Sequence, residues 1–366
     1  MGWLFGRNRN PDTCVECRQQ CRERFQRRLA LIQAARERAA TDRSAQGATM
    51  RATADRFDRY NKAMPRARAA ADVYNPEQME CLRRVTDPEE LRRMGVDPAA
   101  LRDDNSGFNA AVYRSDSDGS TILAYQGTDA NSLNDWKTNI DNGAGLRTDQ
   151  YTSAANIAGG MHAAGTQFDI AGHSLGGGLA TEGGLAAPGH NVWTFNSAGL
   201  SDASLARNGA SSWADIDSRT QAFRNENEFL TGIQEDENHA AQVANAEMLR
   251  DEIRGDGGWM NPMEITGYNA QKTEGAAFEG HRTAFFNQVD QLITRARADA
   301  AAGRDPNLFP QARGQRTEVP GWANLSRALN NRLARLNQHT MGSMIGRMEA
   351  IKTEDERALR SYTGLR

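Results

Sequence analysis

Apolar positions along this chain fall into short runs separated by polar turns, and their period changes from stretch to stretch. Phe108-Asn109-Ala110-Ala111-Val112-Tyr113 and Thr121-Ile122-Leu123-Ala124-Tyr125 read as strands joined by a turn at Asp116-Ser117-Asp118-Gly119. Residues 151–164 read as a helix, and Phe168-Asp169-Ile170-Ala171 as a strand end. Gly178-Leu179-Ala180-Thr181-Glu182-Gly183-Gly184-Leu185-Ala186 then gives the first turns of a small-residue helix. Asn191-Val192-Trp193-Thr194-Phe195-Asn196 and Thr220-Gln221-Ala222-Phe223-Arg224 predict two more strands. Strands and helices alternating in this order predict an α/β fold, with a mostly parallel central sheet and helices on both faces. Further along, residues 235–254 form a polar helical pattern, and 258–320 are loop-rich with a helix near 282–299. A last pair of helices is expected over 322–336 and 341–358.

The N-terminal stretch reads differently. Residues 12–64 are dense in Arg, Ala, Gln and Glu and contain no proline, which predicts one or two long helices broken near Ser44-Ala45-Gln46-Gly47. Apolar residues are sparse there, so the stretch either docks on the body or stands apart from it. The expected division is a basic helical segment over 1–68 and a compact domain over 69–366. Charge sharpens this contrast: residues 1–70 carry 16 Lys+Arg against 7 Asp+Glu, and the remainder 28 against 40. A basic segment beside an acidic body suggests an anionic partner or contact between the two, with a plain solvated Arg-rich helix as the alternative. No nucleic-acid partner is expected.

Hydrophobic residues make up 39% of the 366, enough for a core, and no run is long and apolar enough for a membrane-spanning helix. Met1-Gly2-Trp3-Leu4-Phe5-Gly6 is too short for the apolar part of a secretory signal, and Gly6 stands where a myristoylation signal needs Ser or Thr. Of the four cysteines, Cys14, Cys17 and Cys21 share one side of a short helix or turn, and with Cys81 or a distant His they make a candidate zinc set. Thiols are the favoured expectation, and a disulfide-stabilised fold is not expected from so few cysteines.

The chemistry centres on Gly172-His173-Ser174-Leu175-Gly176-Gly177, which joins a strand to a helix. G-x-S-x-G on such a turn strains the serine backbone and pushes its hydroxyl out at the edge of the sheet. The helix N-terminus beside it offers N–H groups to a developing negative charge. Ser174 is therefore the candidate nucleophile. A serine needs a histidine to take its proton and an acid to orient that histidine, in the chain order Ser, acid, His. His190 lies before the next strand, on the wrong side of the sheet, and His239 lies in a charged surface helix. Spacing alone leaves His281 and His339 equal. Glu226 and Glu228 follow the 220–224 strand and suit the acid, whereas Asp215 and Asp217 precede it and face the other edge. The oxyanion hole needs the N–H of Leu175 and a second from the corner Tyr125-Gln126-Gly127-Thr128, here Thr128.

Taken together, Ala124-Tyr125-Gln126-Gly127-Thr128, Asn134-Asp135-Trp136-Lys137-Thr138-Asn139, the 172–177 elbow and Thr194-Phe195-Asn196-Ser197-Ala198-Gly199 resemble the class 3 (fungal-type) lipases and their bacterial lipase-like relatives. Gln126 stands where that family often has Arg. Asn227-Glu228-Phe229-Leu230-Thr231 is similar to the family's Asn-Asp-apolar-apolar-Pro segment, which puts the acid on Glu228, with Glu in place of Asp. His339-Thr340-Met341-Gly342-Ser343-Met344-Ile345 is similar to the start of the final helix in lipase-like toxins of type VI or type IV secretion, which puts the base on His339. The resemblance implies an α/β-hydrolase that cleaves acyl esters of phospholipids at a membrane surface, with no metal and no cofactor. It implies a chain made in a bacterial cytoplasm without a signal peptide and exported by a specialised system, as an antibacterial or host-directed effector. An immunity protein and a secretion-apparatus component at the N-terminal segment are its implied partners. The other function class is a catalytically inactive hydrolase-fold adaptor or chaperone for secretion.

Overall fold

The structure, a computed structural model, describes residues 14–76, 79–127, 148–226, 230, 234, 239–254, 276–304, 310–320 and 340–365. Two long helices lead, α1 (Val15–Thr41) and α2 (Ala45–Asp72). The break falls where Ser44 caps α2, its hydroxyl accepting the N–H of Gly47 at 3.3 Å. Buried Cys21, Phe25, Ile32, Ala35 and Ala39 recur every three, four or seven residues along α1, giving it a single apolar stripe. After β1 (Leu82–Arg84), α3 (Pro88–Arg93) and β2 (Arg102–Asp103) come β3 (Phe108–Ser115), β4 (Thr121–Tyr125) and α4 (Asp149–Ala163). The middle of the chain is β5 (Asp169–His173), α5 (Leu175–Ala186), β6 (Val192–Phe195), α6 (Asp202–Arg207), α7 (Ala214–Arg219) and β7 (Thr220–Asn225). The last described elements are α8 (His239–Arg254), α9 (Ala276–Ala301), β8 (Gln315–Val319) and α10 (Met341–Thr363). The helix expected over 322–336 lies outside the described residues.

The sheet order is β1-β3-β4-β5-β6-β7-β8, with β2 pairing β3 off this path. Pairing is antiparallel from β1 to β4 and parallel from β4 to β8, as the alternation of strands and helices predicts. Period two along the strands sorts their side chains into two cores. Ala110, Val112, Leu123 and Tyr125 face one side, where α4 and α5 supply Tyr151, Ile157, Leu175 and Leu179. Ala111, Tyr113, Ile122 and Ala124 face the other, against Tyr60, Met64 and Ala67 of α2 and Met344, Met348 and Ile351 of α10. A third layer lies outside that one: Leu31, Ile32 and Ala35 of α1 pack on Phe57 of α2 and Leu359 of α10. Helix α2 runs unbroken through residue 68 and docks on the sheet.

Charge follows the same route. Arg66 of α2, buried, grips Asp169 at the start of β5 and Asp118 in the β3–β4 turn, with its guanidinium 5.3 Å from the centre of the Trp193 ring. Arg68 reaches Glu349 at 2.8 Å, Arg28 reaches Glu356 at 2.9 Å, and Arg56 pairs with buried Asp355. The basic N-terminal segment and the acidic body thus meet each other.

The cysteines correct the thiol and zinc expectations. Cys14 pairs with Cys17 one turn along α1, and Cys21 pairs with Cys81, whose Cα lies 5.7 Å away. The second bond closes a loop of sequence separation 60 and ties α1 to the residue before β1. Folding brings residue 81 back to α1, and spacing alone could not reveal that approach. Among the described residues, no His, Cys, Asp and Glu cluster could hold a metal, and no helix is long and apolar enough to cross a membrane.

Closing a loop that long restricts the unfolded chain by about 4 kcal/mol. Replacing Cys21 and Cys81 together by Ser is therefore expected to lower stability by about 2–4 kcal/mol, read as an earlier denaturant midpoint. Dithiothreitol should lower the wild-type midpoint comparably and barely move that of the variant. A second prediction concerns Lys352 in α10, paired with Glu349 at 2.7 Å and close to Arg28 and Arg68. Burial pushes its ammonium down to about 8, from 10.5, against the pull of Glu349. Below about pH 8 both folded and unfolded chains hold this proton, and the folded one carries the burial penalty. Between 8 and 10.5 the unfolded chain binds more protons, so this group's contribution to stability improves as pH rises. Lys352→Met should gain on the wild type most near pH 7 and least near pH 10 in paired melts; a pH-independent difference would refute this.

Candidate active site

Chain geometry at the end of β5 turns on residue size. A β-carbon at Gly172 would overlap the carbonyl oxygen of Gly176, and one at Gly176 would overlap the carbonyl oxygen of Tyr125 at the end of β4. Three backbone segments therefore touch directly, and Ser174 is left at φ 57°, ψ −128°, a conformation that side-chain-bearing residues rarely adopt. Its main chain is held on every side. The N–H donates to Phe195 O at 3.1 Å, and the carbonyl accepts from Gly177 and from Ala198, each at 2.9 Å. Ser174 occupies the N-cap position of α5, but its hydroxyl does not cap the helix. It is 8% exposed, at the carboxyl edge of the sheet beside the first N–H groups of α5.

Beside this turn lies the end of β4, fastened by a residue that the motif reading passed over. Tyr74, just past α2, accepts the N–H of Gly127 at 2.9 Å. The same phenol oxygen lies 3.0 Å from His173 Nδ1 and 3.3 Å from the His173 carbonyl, directly before Ser174. Tyr74 thereby joins the Gly127 corner to the elbow. Its only trace in the sequence is an aromatic residue directly after an alanine-rich helix.

Of the expected site residues, Ser174 and Leu175 stand together at the head of α5, Leu175 fully buried. Thr128, Glu228 and His339 lie outside the described residues. Their described neighbours are Gly127 against the elbow, exposed Glu226 with its N–H on Val319 O at 2.9 Å, and Thr340, which caps α10. His281 sits inside α9 rather than ahead of a helix, because that helix begins at Ala276. His190 lies at the opposite edge, before β6, stacked on Phe168 with Nδ1 3.0 Å from the Phe168 carbonyl. Burial lowers its pKa. Asp217 pairs with Arg313 at that same edge, and Asp215 with Arg219, as their position ahead of β7 implies.

Residues 65–269 match the family model of the Tle-like phospholipase domain. Over 143 residues the chain is 42% identical to a protein described as the extracellular phospholipase A1 of Serratia liquefaciens. That match covers 38% of this chain and 43% of the relative, so the chain spans less than half the length of the protein it resembles.

Tyr74→Phe should leave the buried Gly127 N–H without its acceptor and cost about 1–3 kcal/mol, measured by urea unfolding. A cost near zero would mean that the phenol does not hold this corner.

Proposed function

We propose, from the premise that the chain belongs to the Tle-like phospholipase domain family, that it is a serine ester hydrolase cleaving acyl esters of phospholipids. The observation that carries this reading is Ser174, strained at φ 57° on a strand-to-helix turn, where a nucleophile and a helix N-terminus meet. In this reading Ser174 Oγ attacks the acyl carbonyl carbon while His339 takes the hydroxyl proton. Glu228 orients the imidazole, and the N–H groups of Thr128 and Leu175 hold the tetrahedral oxyanion. Collapse expels the lipid alcohol, which leaves with the proton from His339, and an acyl-serine ester remains. Water, deprotonated by the same imidazole, releases the fatty acid and restores the serine. The proposed steps use side chains, main-chain N–H groups and water.

Phospholipid is the substrate proposed because the family is a phospholipase family and the relative is described as a phospholipase A1. That relative is also described as extracellular, which supports extending the reading to secretion. On that extension the chain acts as an effector outside its producing cell, an immunity protein guards that cell, and the N-terminal helices meet a component of the secretion apparatus.

Ser174→Ala is expected to lower ester hydrolysis by about 10⁴-fold or more while the melting temperature stays near wild type. Mass spectrometry of phospholipid incubated with each protein reads the result as released fatty acid and lysophospholipid. A fluorophosphonate probe should label the wild type at Ser174. Hydrolysis that survives in the variant would overturn the assignment, and a wild type that neither labels nor hydrolyses would point to a non-catalytic adaptor.

A further inference from the structure

Asn196, the residue after β6, is fully buried and has φ 41°, a left-handed conformation that Asn tolerates better than most residues. In the parallel ladder Phe195 faces Phe223. On the next rung the Asn196 N–H donates to the Phe223 carbonyl at 2.8 Å. If β6 ran straight on, the Asn196 carbonyl would then accept the N–H of Asn225. The chain turns at Asn196 instead, and the side chain takes that slot: the Asn225 N–H donates to Asn196 Oδ1 at 2.8 Å. The turn itself carries the chain onto the elbow, where Ala198 N–H donates to the Ser174 carbonyl at 2.9 Å. On its other flank β7 is held one step further, by the 2.9 Å bond from Glu226 N–H to the carbonyl of Val319, the last residue of β8.

We propose that Asn196 is the positioning residue that fixes the exit of β7 against the nucleophile, and with it the start of the segment that carries the acid in the proposed reading. This rests on the reading of Ser174 as nucleophile with its acid just past β7. Two demands meet at one position. The main chain must turn toward Ser174, and an oxygen must still be left for the N–H of Asn225, a residue only 1% exposed. A glycine would satisfy the first demand and fail the second. A β-branched residue would fail both. Asn satisfies both, because it tolerates positive φ and its side-chain carbonyl stands in for the main-chain one.

Asn196→Gly keeps the turn and deletes the oxygen. It is expected to lower kcat on a short-chain p-nitrophenyl ester by about 10–100-fold, the scale of a small misplacement of a reacting group. KM should stay near the wild-type value. The acidic limb of the pH–rate profile should move to lower pH, because a displaced carboxylate no longer supports the imidazolium. Asn196→Asp, which retains an accepting oxygen, should recover most of the lost kcat. The proposal is overturned if Asn196→Gly keeps the wild-type kcat and pH profile, or if Asn196→Asp is as impaired as Asn196→Gly. Ser174→Ala run alongside separates the two levels: activity retained there sinks the hydrolase reading itself. An inactive Ser174→Ala beside a fully active Asn196→Gly sinks only the role of Asn196.

Discussion

Where β5 runs into α5, backbone packs on backbone with no side chain between. The carbonyls of Gly176 and Tyr125 occupy the space that β-carbons at 172 and 176 would need. That close approach decides the rest of the edge. It brings the end of β4 against the start of α5, and it forces Ser174 into a conformation that costs on the order of 1–3 kcal/mol. Such strain persists only where neighbours over-determine it. Here Phe195, Gly177 and Ala198 bond the main chain of Ser174, and Tyr74 clasps the residue before it. Phe195, Gly177 and Ala198 are themselves buried, so the serine takes its geometry from the core around it.

The opposite end of β5 is equally constrained. Asp169, the first residue of that strand, is gripped by Arg66 from α2, which also holds the β3–β4 turn through Asp118. Such a buried ion cluster adds little net stability compared with apolar packing, but losing one partner strands an uncompensated charge. The arrangement therefore specifies position more than it adds stability. It sets where α2 lies, and α2 in turn delivers Tyr74 to the elbow two residues after its own end. The N-terminal helices are in this sense part of the scaffold that shapes the candidate site.

Strands β3 to β7 were readable within about two residues because each alternates apolar positions between two cores or ends at an unmistakable turn. The elbow was readable because so tight a strand-to-helix turn admits only small residues at 172 and 176. β8 escaped because four of its five residues are not buried, so no apolar pattern marks it. β1 escaped because three residues, Leu82-Arg83-Arg84, carry no period at all. The Cys21–Cys81 bond and the role of Tyr74 depend on where distant segments meet, and local spacing does not encode that. Asn196 was visible as the last residue of a strand and as part of a matching segment, without a role of its own. Its function appears once the parallel register shows which main-chain acceptor its side chain replaces.

The charge asymmetry of the chain illustrates how a sequence signal can have an internal destination. Sixteen Lys+Arg in the first 70 residues look like a surface prepared for an anion. Yet Arg24, Arg28, Arg56, Arg66 and Arg68 each meet a carboxylate contributed by the body, at Glu80, Glu356, Asp355, Asp169 and Glu349. Arg36 is met by Asp55 and Asp58 within the helical hairpin itself. Most of these pairs are half-exposed and weak one by one. Their joint effect is registry, because the buried face of α2 is rich in alanine, with Ala54, Ala63, Ala67, Ala69 and Ala70, and small side chains slide past a neighbour more readily than interlocking large ones. Complementary charges spaced along the helices single out one alignment. That alignment places Arg66 on Asp169 and Tyr74 on Gly127, so the basic character of the N-terminal segment is bound up with the geometry at Ser174.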